Sequence, residues 1–266
     1  MNEFQSYLQK YLRIWPPHMA VIRAFESVYL KENVTMSPPF LDLGCGDGQF
    51  IASVFGKVDV GIDISAKEIR RASRSGAFSC LHCVDGHTIP YPDGYFKTII
   101  SNCVIEHVSQ PDNFIHEIAR VLDIGGIFVF STWTPDFNTA LLLRKKWYIS
   151  WKSSVLAHRS IKSVNEWKTI LQRHSLEVTF IKHYLAPSSI KFLDFLELLS
   201  LIGFWKFNLL NFYRLVAPSL ANVIIMKIAQ SLDTHINKQK TDVTACGVII
   251  KAIKDSKSAG NSREVS

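Results

Sequence analysis

Short apolar runs alternate with helix-like segments between Pro39 and about Trp133, which is typical of repeated βα units that build a parallel sheet. The predicted strands are Phe40–Leu43, Val58–Ile62, Ser79–Val84, Thr98–Asn102 and Gly126–Thr132. The predicted helices between them are Phe50–Phe55, Ala66–Ser73 and Phe114–Leu122. The pattern also predicts that Gly125 and Gly126 stop the third helix and release the fifth strand.

Further elements flank this region. Residues 1–37 are predicted to form an N-terminal helical cover built from two helices, Tyr7–Ile14 and Met19–Tyr29. Simple packing of these helices on the sheet is the alternative. The predicted core spans residues 38–184 and ends with a helix at Val164–His174 and a strand at Leu176–Tyr184. Ser163 is the predicted N-cap of that helix, because a glutamate follows it three residues later. The last core strand is predicted within residues 244–253, at Ala245–Ile253, and the polar tail 254–266 is predicted to be disordered.

Residues 185–243 are too many for an ordinary loop, so we predict a helical insertion with its own structure. In Lys191–Gly203 only every third residue is polar or small, so a helix here needs burial around most of its circumference. Charged residues interrupt the later apolar runs, and the pattern favours no membrane span. The core, an apolar substrate and a membrane interface all remain candidates for covering the insertion.

Charge is unevenly distributed along the chain. Residues 1–135 hold 11 Lys/Arg against 14 Asp/Glu, a net charge of −3, whereas residues 136–266 hold 19 against 9, a net charge of +10. The asymmetry is compatible with an anionic partner and equally with a solvated basic face. The cluster Arg144–Lys146, followed by Trp147, Tyr148 and Trp151, has the same two interpretations, of which a solvated helix end is favoured.

The five cysteines and the first residues of the chain bear on the cellular compartment of the protein. Cys80 and Cys83 form a CxxC without a second pair, so we predict buried strand thiols in a reducing compartment and no metal site. The first twenty residues do not resemble a signal peptide. The sequence favours a cytoplasmic protein, with peripheral contact of residues 185–243 with the inner face of a membrane left open, and it does not determine the oligomeric state.

The strongest local signal is the segment Leu41–Gly48, in which an apolar strand runs into a loop with glycine at alternate positions. Glycines tolerate positive φ and carry no Cβ, so such a turn brings main-chain groups close to a ligand beside a helix N-terminus. A dinucleotide-binding G-x-G-x-x-G loop needs a third glycine where this chain has Gln49, which disfavours a nicotinamide oxidoreductase.

Asp42-x-Gly44-x-Gly46-x-Gly48 resembles motif I of class I S-adenosylmethionine-dependent methyltransferases, in particular the type 11 or ubiquinone-biosynthesis-like group. Three later segments resemble family motifs in the same order: Val60–Ser65, Val84–Phe96 and Ile100–Val108. The resemblance covers about residues 38–133. It implies an α/β, Rossmann-like, seven-stranded, mostly parallel sheet sandwiched by helices, with the helical insertion between the last two strands.

The resemblance also implies S-adenosyl-L-methionine as cofactor and a set of binding residues. Asp63 matches the acid that binds both ribose hydroxyls, and Asp85 matches the acid that reads the adenine amino group. The implied cofactor-binding residues are Asp42, Gly44, Cys45, Gly46, Gly48, Asp63, Ile64, Asp85, Gly86 and Asn102. From the residues alone, N-capping of the following helix is an alternative role for Asp63. Lys97 departs from the family pattern at a strand entrance rather than at a cofactor contact, and Ile124-Gly125-Gly126 replaces the family's usual entry to the fifth strand.

Methyl transfer from a sulfonium is an in-line displacement, to which positioning of the acceptor and exclusion of water contribute much of the rate. If the acceptor is a hydroxyl, His107 is the candidate general base, because its ordinary pKa lies near neutrality and the resemblance places it beside the acceptor. Glu106 is the second candidate catalytic residue. The competing interpretation makes Glu106 and His107 a structural pair that fixes the loop.

The expected function is methyl transfer, as O- or C-methylation, to a small-molecule acceptor that is apolar or lipid-linked, such as a quinone, an isoprenoid or a glycolipid. A nucleic-acid methyltransferase is an alternative supported by basic charge alone, so a nucleic-acid partner is disfavoured. A non-catalytic cofactor-binding module of the same fold is a further alternative, disfavoured by the intact glycines and acids.

Overall fold

The computed structural model describes residues 2–201, 203–204, 207–208 and 245–256. The helices are α1 Glu3–Leu12, α2 Pro17–Asn33, α3 Gln49–Val54, α4 Ala66–Ala72, α5 Pro111–Val121, α6 Asp136–Ala140, α7 Lys146–Val155, α8 Val164–Arg173 and α9 Pro187–Leu201, with a 3-10 turn at Ile105–His107. The strands are β1 Phe40–Leu43, β2 Val58–Asp63, β3 Phe78–Cys83, β4 Phe96–Asn102, β5 Leu122–Trp133, β6 Leu176–Tyr184, β7 Gly203–Phe204, β8 Phe207–Asn208 and β9 Gly247–Lys254.

Seven strands form one mixed sheet in the order β3-β2-β1-β4-β5-β9-β6. β1 pairs in parallel with β2 and with β4, β2 with β3, and β4 with β5. β9 and β6 are antiparallel, because Cys246 N donates to Leu185 O beyond one end of β6 and Asp255 N donates to Ser175 O beyond its other end. The prediction of a seven-stranded, mostly parallel α/β sheet is therefore confirmed.

The predicted boundary at Gly125 and Gly126 is wrong. α5 ends at Val121, and the buried Leu122 already pairs with Phe96 of β4. The next register pair is Thr98 with Ile127, so two steps along β4 correspond to five along β5. The glycines lie in this bulge, where Gly125 has a φ of +77°. The apolar Leu122 is buried in register, and the glycines allow the chain to rejoin the sheet afterwards.

The chain divides into two compact units. One unit comprises residues 33–134, 156–182 and the described residues from 248 onward, and it holds most of the sheet. Its core packs sheet residues such as Phe128 and Phe130 against α5 and α8, where Trp167 is fully buried. The Phe130 and Trp167 rings meet edge to face, with centroids 5.5 Å apart. Burial of these rings stabilises the sheet against its helices.

The second unit comprises the described residues up to 32, residues 135–155 and the described residues within 183–247. It holds α1, α2, α6, α7 and α9. The buried Tyr184 hydroxyl donates to the fully buried carboxylate of Glu26 over 2.7 Å. The predicted segments 1–37 and 185–243 fall largely in this unit, whereas their role as a cover stays a prediction. Residues 209–243 of the insertion and 257–266 of the tail lie outside the described residues.

The N-terminus of α8 carries the predicted capping box. Ser163 Oγ accepts from Glu166 N over 3.3 Å, and Glu166 Oε2 accepts from Ser163 N over 2.8 Å. Ser163 Oγ also donates to the same carboxylate, and these hydrogen bonds lower the pKa of Glu166. The box satisfies N–H groups that otherwise have no partner in the helix, and so it fixes where α8 begins.

We expect Ser163→Ala to reduce the free energy of unfolding by about 1 kcal/mol, whereas Ser163→Asp stays within about 0.5 kcal/mol of wild type because aspartate caps equally well. Urea unfolding followed by circular dichroism measures both. Because the folded-state pKa of Glu166 is lowered, its contribution is present above the ordinary glutamate pKa and is lost as pH falls through the folded value. The Ser163→Ala deficit should therefore shrink in acid, and a deficit that grows in acid would contradict this assignment.

Candidate cofactor and active site

The loop between β1 and α3 folds back onto the end of β2. The amides of Gly44 and Cys45 both donate to the carbonyl of Ile62, over 2.7 and 2.9 Å. Gly44, Gly46 and Gly48 have φ values of +79°, +53° and +76°. Residues other than glycine adopt positive φ values only at an energetic cost. The alternating glycines therefore permit the tight turn that the sequence predicts.

The three glycines differ in what surrounds them. A Cβ on Gly44 would collide with the Val104 side chain, and one on Gly48 would lie 2.7 Å from both the Phe78 ring and Ser75 Oγ. A Cβ on Gly46 would meet no atom within 4 Å. Gly44 and Gly48 are therefore required by packing within the protein, whereas Gly46 borders open space that a ligand can enter.

Asp63 ends β2 and binds the glycine loop directly. Its Oδ2 accepts from Gly46 N over 2.9 Å, and its Oδ1 accepts from Ser65 N over 2.8 Å. The N-cap of α4 is Ser65, whose hydroxyl accepts from Glu68 N, so Asp63 does not have the alternative capping role. Each carboxylate oxygen retains a further lone pair, which leaves Asp63 able to accept two more hydrogen bonds.

Ile64, next to Asp63, is 71% exposed, which is unusual for an isoleucine. An apolar side chain is therefore exposed at the position that follows the carboxylate in the sequence. Asp42 and Cys45, by contrast, are buried, and burial raises the pKa of the Cys45 thiol. Cys45 is therefore a neutral core thiol, and it contributes to the loop through its main chain.

Asp85 and Gly86 follow β3. Asp85 is exposed, and its Oδ1 accepts from His87 N over 2.9 Å and from His87 Nδ1 over 2.6 Å. The hydrogen bond from the His87 amide is the largest of the causes that lower the pKa of Asp85, so the group is ionised at neutral pH. A Cβ on Gly86 would lie 2.5 Å from the Phe114 ring. Asp85 and His87 line a cavity of about 510 Å³ together with Ser109, Gln110 and Asn113.

Asn102 ends β4 and is held by a residue that sequence reasoning missed. Its Oδ1 accepts from Ser131 Oγ of β5 over 2.8 Å, and Cys103 N lies 3.0 Å from the same hydroxyl. Cys103 has a φ of +54°, so the chain turns sharply here. The signal for Ser131 was present in the sequence, since a polar residue directly follows the apolar run Phe128–Phe130 at the end of a predicted strand.

Glu106 and His107 lie in the 3-10 turn after β4 and have different environments. Glu106 is fully buried, and its carbonyl accepts from Arg159 N over 2.7 Å and from Ser160 N over 3.0 Å. His107 is exposed, and its Nδ1 lies 3.2 Å from the carbonyl of Ala157. A carbonyl only accepts, so Nδ1 is the donor, and Nε2 of the neutral ring is then free of a proton and able to accept one.

The position of Glu106 therefore agrees with the structural alternative for that residue, whereas His107 retains the geometry of a base. The sequence did not predict that residues 157–160 support the turn of Glu106 and His107. His158 belongs to this segment, and its ring centroid lies 5.7 Å from that of His107. No local pattern in the sequence relates residues 106–107 to residues fifty positions later.

The prediction of buried thiols is wrong for Cys80 and Cys83, which are both exposed on β3. β3 is the edge strand of the sheet, so neighbours do not cover it as they cover the central strands. Cys80 Sγ lies 3.3 Å from His82 Nε2, and Cys83 Sγ lies 3.7 Å from the carbonyl of Ile64. Cys45 and Cys246, by contrast, are buried.

The described residues contain no group of three or more His, Cys, Asp or Glu side chains suited to a metal ion. Within the same part of the chain, no helix is both long and apolar enough to cross a membrane.

Because β1 to β4 are parallel, their carboxyl ends meet at one edge of the sheet. The glycine loop, Asp63, Asp85 and Asn102 each follow or end one of these strands. The strand order reverses between β1 and its neighbours β2 and β4, and such a point is where open α/β sheets bind ligands. The structure thus brings the predicted cofactor residues to the same edge.

Residues 41–130 match a family model described as a methyltransferase domain. An uncharacterised protein of Methanocaldococcus jannaschii is 30% identical over 126 residues, which cover 47% of this chain and 58% of the relative. Chloroplastic tocopherol O-methyltransferase of Arabidopsis thaliana is 27% identical over 170 residues, which cover 58% of this chain and 48% of the relative. The chain thus spans about half the length of these curated relatives.

Solved structures share the fold. Geranyl diphosphate C-methyltransferase from Streptomyces coelicolor, determined with Mg²⁺, geranyl diphosphate and S-adenosyl-L-homocysteine, superposes with a TM-score of 0.56 at 17% identity. The superposition covers 89% of this chain and 81% of that protein. At 17% identity, this comparison establishes a shared fold and nothing more. The family match over residues 41–130 adds the agreement of the ordered sequence motifs. Residues 41–130 thus match a methyltransferase domain, and the described chain has the Rossmann-like fold of the class I S-adenosylmethionine-dependent methyltransferases.

Proposed function

We propose that the protein transfers the methyl group of S-adenosylmethionine to a small-molecule acceptor that is apolar or lipid-linked. The observation that carries this proposal is the pairing of Gly46 with Asp63. The Gly46 amide fixes the carboxylate over 2.9 Å, and the space beside Gly46 is open where its neighbouring glycines are packed. A carboxylate held in place beside an open glycine suits a ligand with two adjacent hydroxyls.

The residues around this pair fit the cofactor as the family resemblance assigns them. Asp63 has lone pairs for two ribose hydroxyls, and the exposed Ile64 side chain suits contact with a flat aromatic base. The Oδ1 of Asp85 is used by His87, so its Oδ2 is the oxygen proposed to accept from the adenine amino group. When bound, the sulfonium supplies an activated methyl group, and the protein's task is to orient the acceptor and exclude water.

His107 is proposed to take the proton from a hydroxyl acceptor. The Ala157 carbonyl holds Nδ1–H, which leaves Nε2 as the basic atom on an exposed ring. Glu106 is proposed to act as a positioning residue, since its carbonyl accepts from the amides of Arg159 and Ser160, two and three residues after Ala157, which holds His107.

The acceptor class is supported by two named proteins of the family. The relative from Arabidopsis is named for tocopherol and the structural neighbour for geranyl diphosphate, and both names indicate molecules with apolar chains. The described part of the insertion is consistent with this class, because α9 is predominantly apolar. Assignment to the ubiquinone-biosynthesis-like group, and the choice between O- and C-methylation, belong to this proposal.

Isothermal titration with S-adenosylmethionine tests the cofactor site. We expect binding in the micromolar range, on the order of −8 kcal/mol, and no heat from NADH. Asp63→Ala should weaken binding by at least about 100-fold, because two hydrogen bonds to a charged group contribute about 1.5–3 kcal/mol each. Asp59→Ala is the matched control, since Asp59 lies on the same strand and also accepts from a main-chain amide, that of Phe40. Equal affinity in wild type and Asp63→Ala would refute the assignment.

The open space at Gly46 gives a second prediction. Gly46→Ala and Gly56→Ala both place alanine at positive φ, +53° and +78°, with no atom within 4 Å of the new Cβ. Each should reduce stability by about 1–2 kcal/mol through backbone strain. Only Gly46→Ala should weaken S-adenosylmethionine binding, by more than about tenfold, because its methyl group occupies the ligand's space. If the two variants bind the cofactor equally well, Gly46 does not border the site.

His107→Ala should lower kcat by about 10²–10⁴-fold on a hydroxyl acceptor, because general-base catalysis is lost. Formation of S-adenosylhomocysteine is measured between pH 5.5 and 9.5 with a tocopherol-type phenol as the test acceptor. His174→Ala, which changes the C-cap histidine of α8 outside the cavity of Asp85 and His87, is the control and should keep the wild-type profile. Turnover of His107→Ala near wild type at every pH would remove His107 from the mechanism.

A further inference from the structure

A group of large apolar side chains is exposed in the second unit. Its members are Leu142, Leu143, Trp147, Trp151 and Phe195, exposed by 40%, 41%, 65%, 40% and 44%, and we call them the Trp147 patch. They come from the segment before α7, from α7 itself and from α9. Exposed large apolar side chains mark a surface that meets a partner or a membrane when they lie close together.

A buried ionic cluster holds the three segments together. Asp194 of α9 accepts from the amide of Leu142 over 2.9 Å and from the Tyr148 hydroxyl over 2.9 Å. Lys152 Nζ of α7 lies 2.8 Å from the carboxylates of both Asp194 and Glu197. Lys152, Asp194 and Tyr148 are each at most 3% exposed. A single carboxylate therefore ties the segment of Leu142 and both helices beneath the patch.

The same contacts bring the patch residues to one region. Phe195 follows Asp194 directly, and Leu142 is bound to that carboxylate through its amide. Trp147 and Trp151 are one helical turn apart, and their rings lie 5.7 and 5.6 Å from the ring of the buried Tyr148. Their spacing places both indoles on the same face of α7.

Three exposed cations stand at the edge of the Trp147 patch. Arg144, Lys145 and Lys146 immediately precede Trp147, and no ion pair joins them to an acidic residue in the part of the chain that the structure describes. The sequence from 137 to 155 contains no Asp or Glu, and its fourth cation, Lys152, is neutralised in the buried cluster. The surface is thus apolar and positively charged at once.

The position of these cations argues against a merely solvated helix end. α7 begins at Lys146, so the cluster lies at the helix N-terminus, and the first turn has no acidic residue. The helix dipole makes cations unfavourable there and favourable at the other end. Basic residues placed against the dipole, next to exposed tryptophans, indicate an anionic binding partner.

We propose that the Trp147 patch docks the protein onto an anionic phospholipid surface. Indole rings favour the boundary between headgroups and acyl chains, where leucine and phenylalanine side chains also lose contact with water. Arg144, Lys145 and Lys146 then reach the negatively charged headgroups. The docking surface is built within one unit, and it requires neither the cofactor nor methyl transfer.

Co-sedimentation with lipid vesicles, without cofactor, tests the proposal. The full chain should bind vesicles of phosphatidylcholine with 30% phosphatidylglycerol and should not bind pure phosphatidylcholine at 0.1 M salt. Replacement of Arg144, Lys145 and Lys146 by glutamine should weaken binding on the order of 100-fold, about fivefold for each charge removed. The control replaces Lys10, Lys57 and Arg74, three exposed cations elsewhere, by glutamine and should bind as wild type.

The apolar contribution is tested with Trp147→Ser against Ile124→Ser, because the two side chains are similarly exposed, by 65% and 57%. Only Trp147→Ser should weaken vesicle binding, by at least about tenfold, and circular dichroism shows that each variant is folded. Absence of wild-type binding overturns the proposal. Unchanged binding of the triple-glutamine and Trp147→Ser variants also overturns it, by assigning binding to another segment such as residues 209–244.

Sedimentation velocity tests a further alternative, which is self-association of the protein through the Trp147 patch. If wild type does not bind vesicles but self-associates, and Trp147→Ser is monomeric, the Trp147 patch is an interface between copies of this chain and the proposal is wrong. Because the assay contains no S-adenosylmethionine, its failure leaves the proposed methyl transfer standing, and failure of cofactor binding leaves the docking proposal standing.

Discussion

The hydrogen bonds from the glycine loop to the end of β2 set the geometry on which the candidate cofactor site depends. Ile62 O receives two amides, and the Asp63 carboxylate receives that of Gly46, so a loop that leaves β1 is held against the adjacent strand. The turn requires positive φ at alternate residues, and glycine meets that requirement at little cost. The result is an acid whose orientation is fixed by the protein before any ligand arrives, which lowers the entropic cost of binding.

Main-chain contacts also organise the turn that carries His107. The 3-10 turn after β4 is anchored through main-chain atoms, because Glu106 O binds the amides of Arg159 and Ser160. The same segment presents the Ala157 carbonyl to His107. Main-chain hydrogen bonds fix the position of a loop without consuming its side chains. The tautomer of His107 therefore follows from how the chain folds between β4 and α8.

The sequence predicts those features of the fold and of the candidate site that depend on local residue patterns. The bounds of β1 and β6 were predicted to the residue, and the acids Asp63 and Asp85 were located because each follows a strand with a recognisable neighbour sequence. The bulge at Gly125 was missed because two glycines after a helix resemble a helix stop, whereas pairing of Leu122 with Phe96 decided the boundary. The exposure of Cys80 depends on β3 lying at the sheet edge, which only the strand order determines. Ser131 reaches Asn102 through cross-strand register.

The ionic cluster of Lys152, Asp194 and Glu197 was beyond prediction for a related reason. A lysine beside two tryptophans on a short helix is usually exposed, and its carboxylate partners lie some forty residues further along the chain. Burial of such charges requires that each be paired and hydrogen-bonded, since removal of one partner leaves a buried charge uncompensated. Apolar packing of the same volume often gives equal stability, so stability alone does not account for an ionic cluster here. Its directional contacts fix three segments in one arrangement, and the large apolar side chains that they carry consequently face solvent beside Arg144, Lys145 and Lys146.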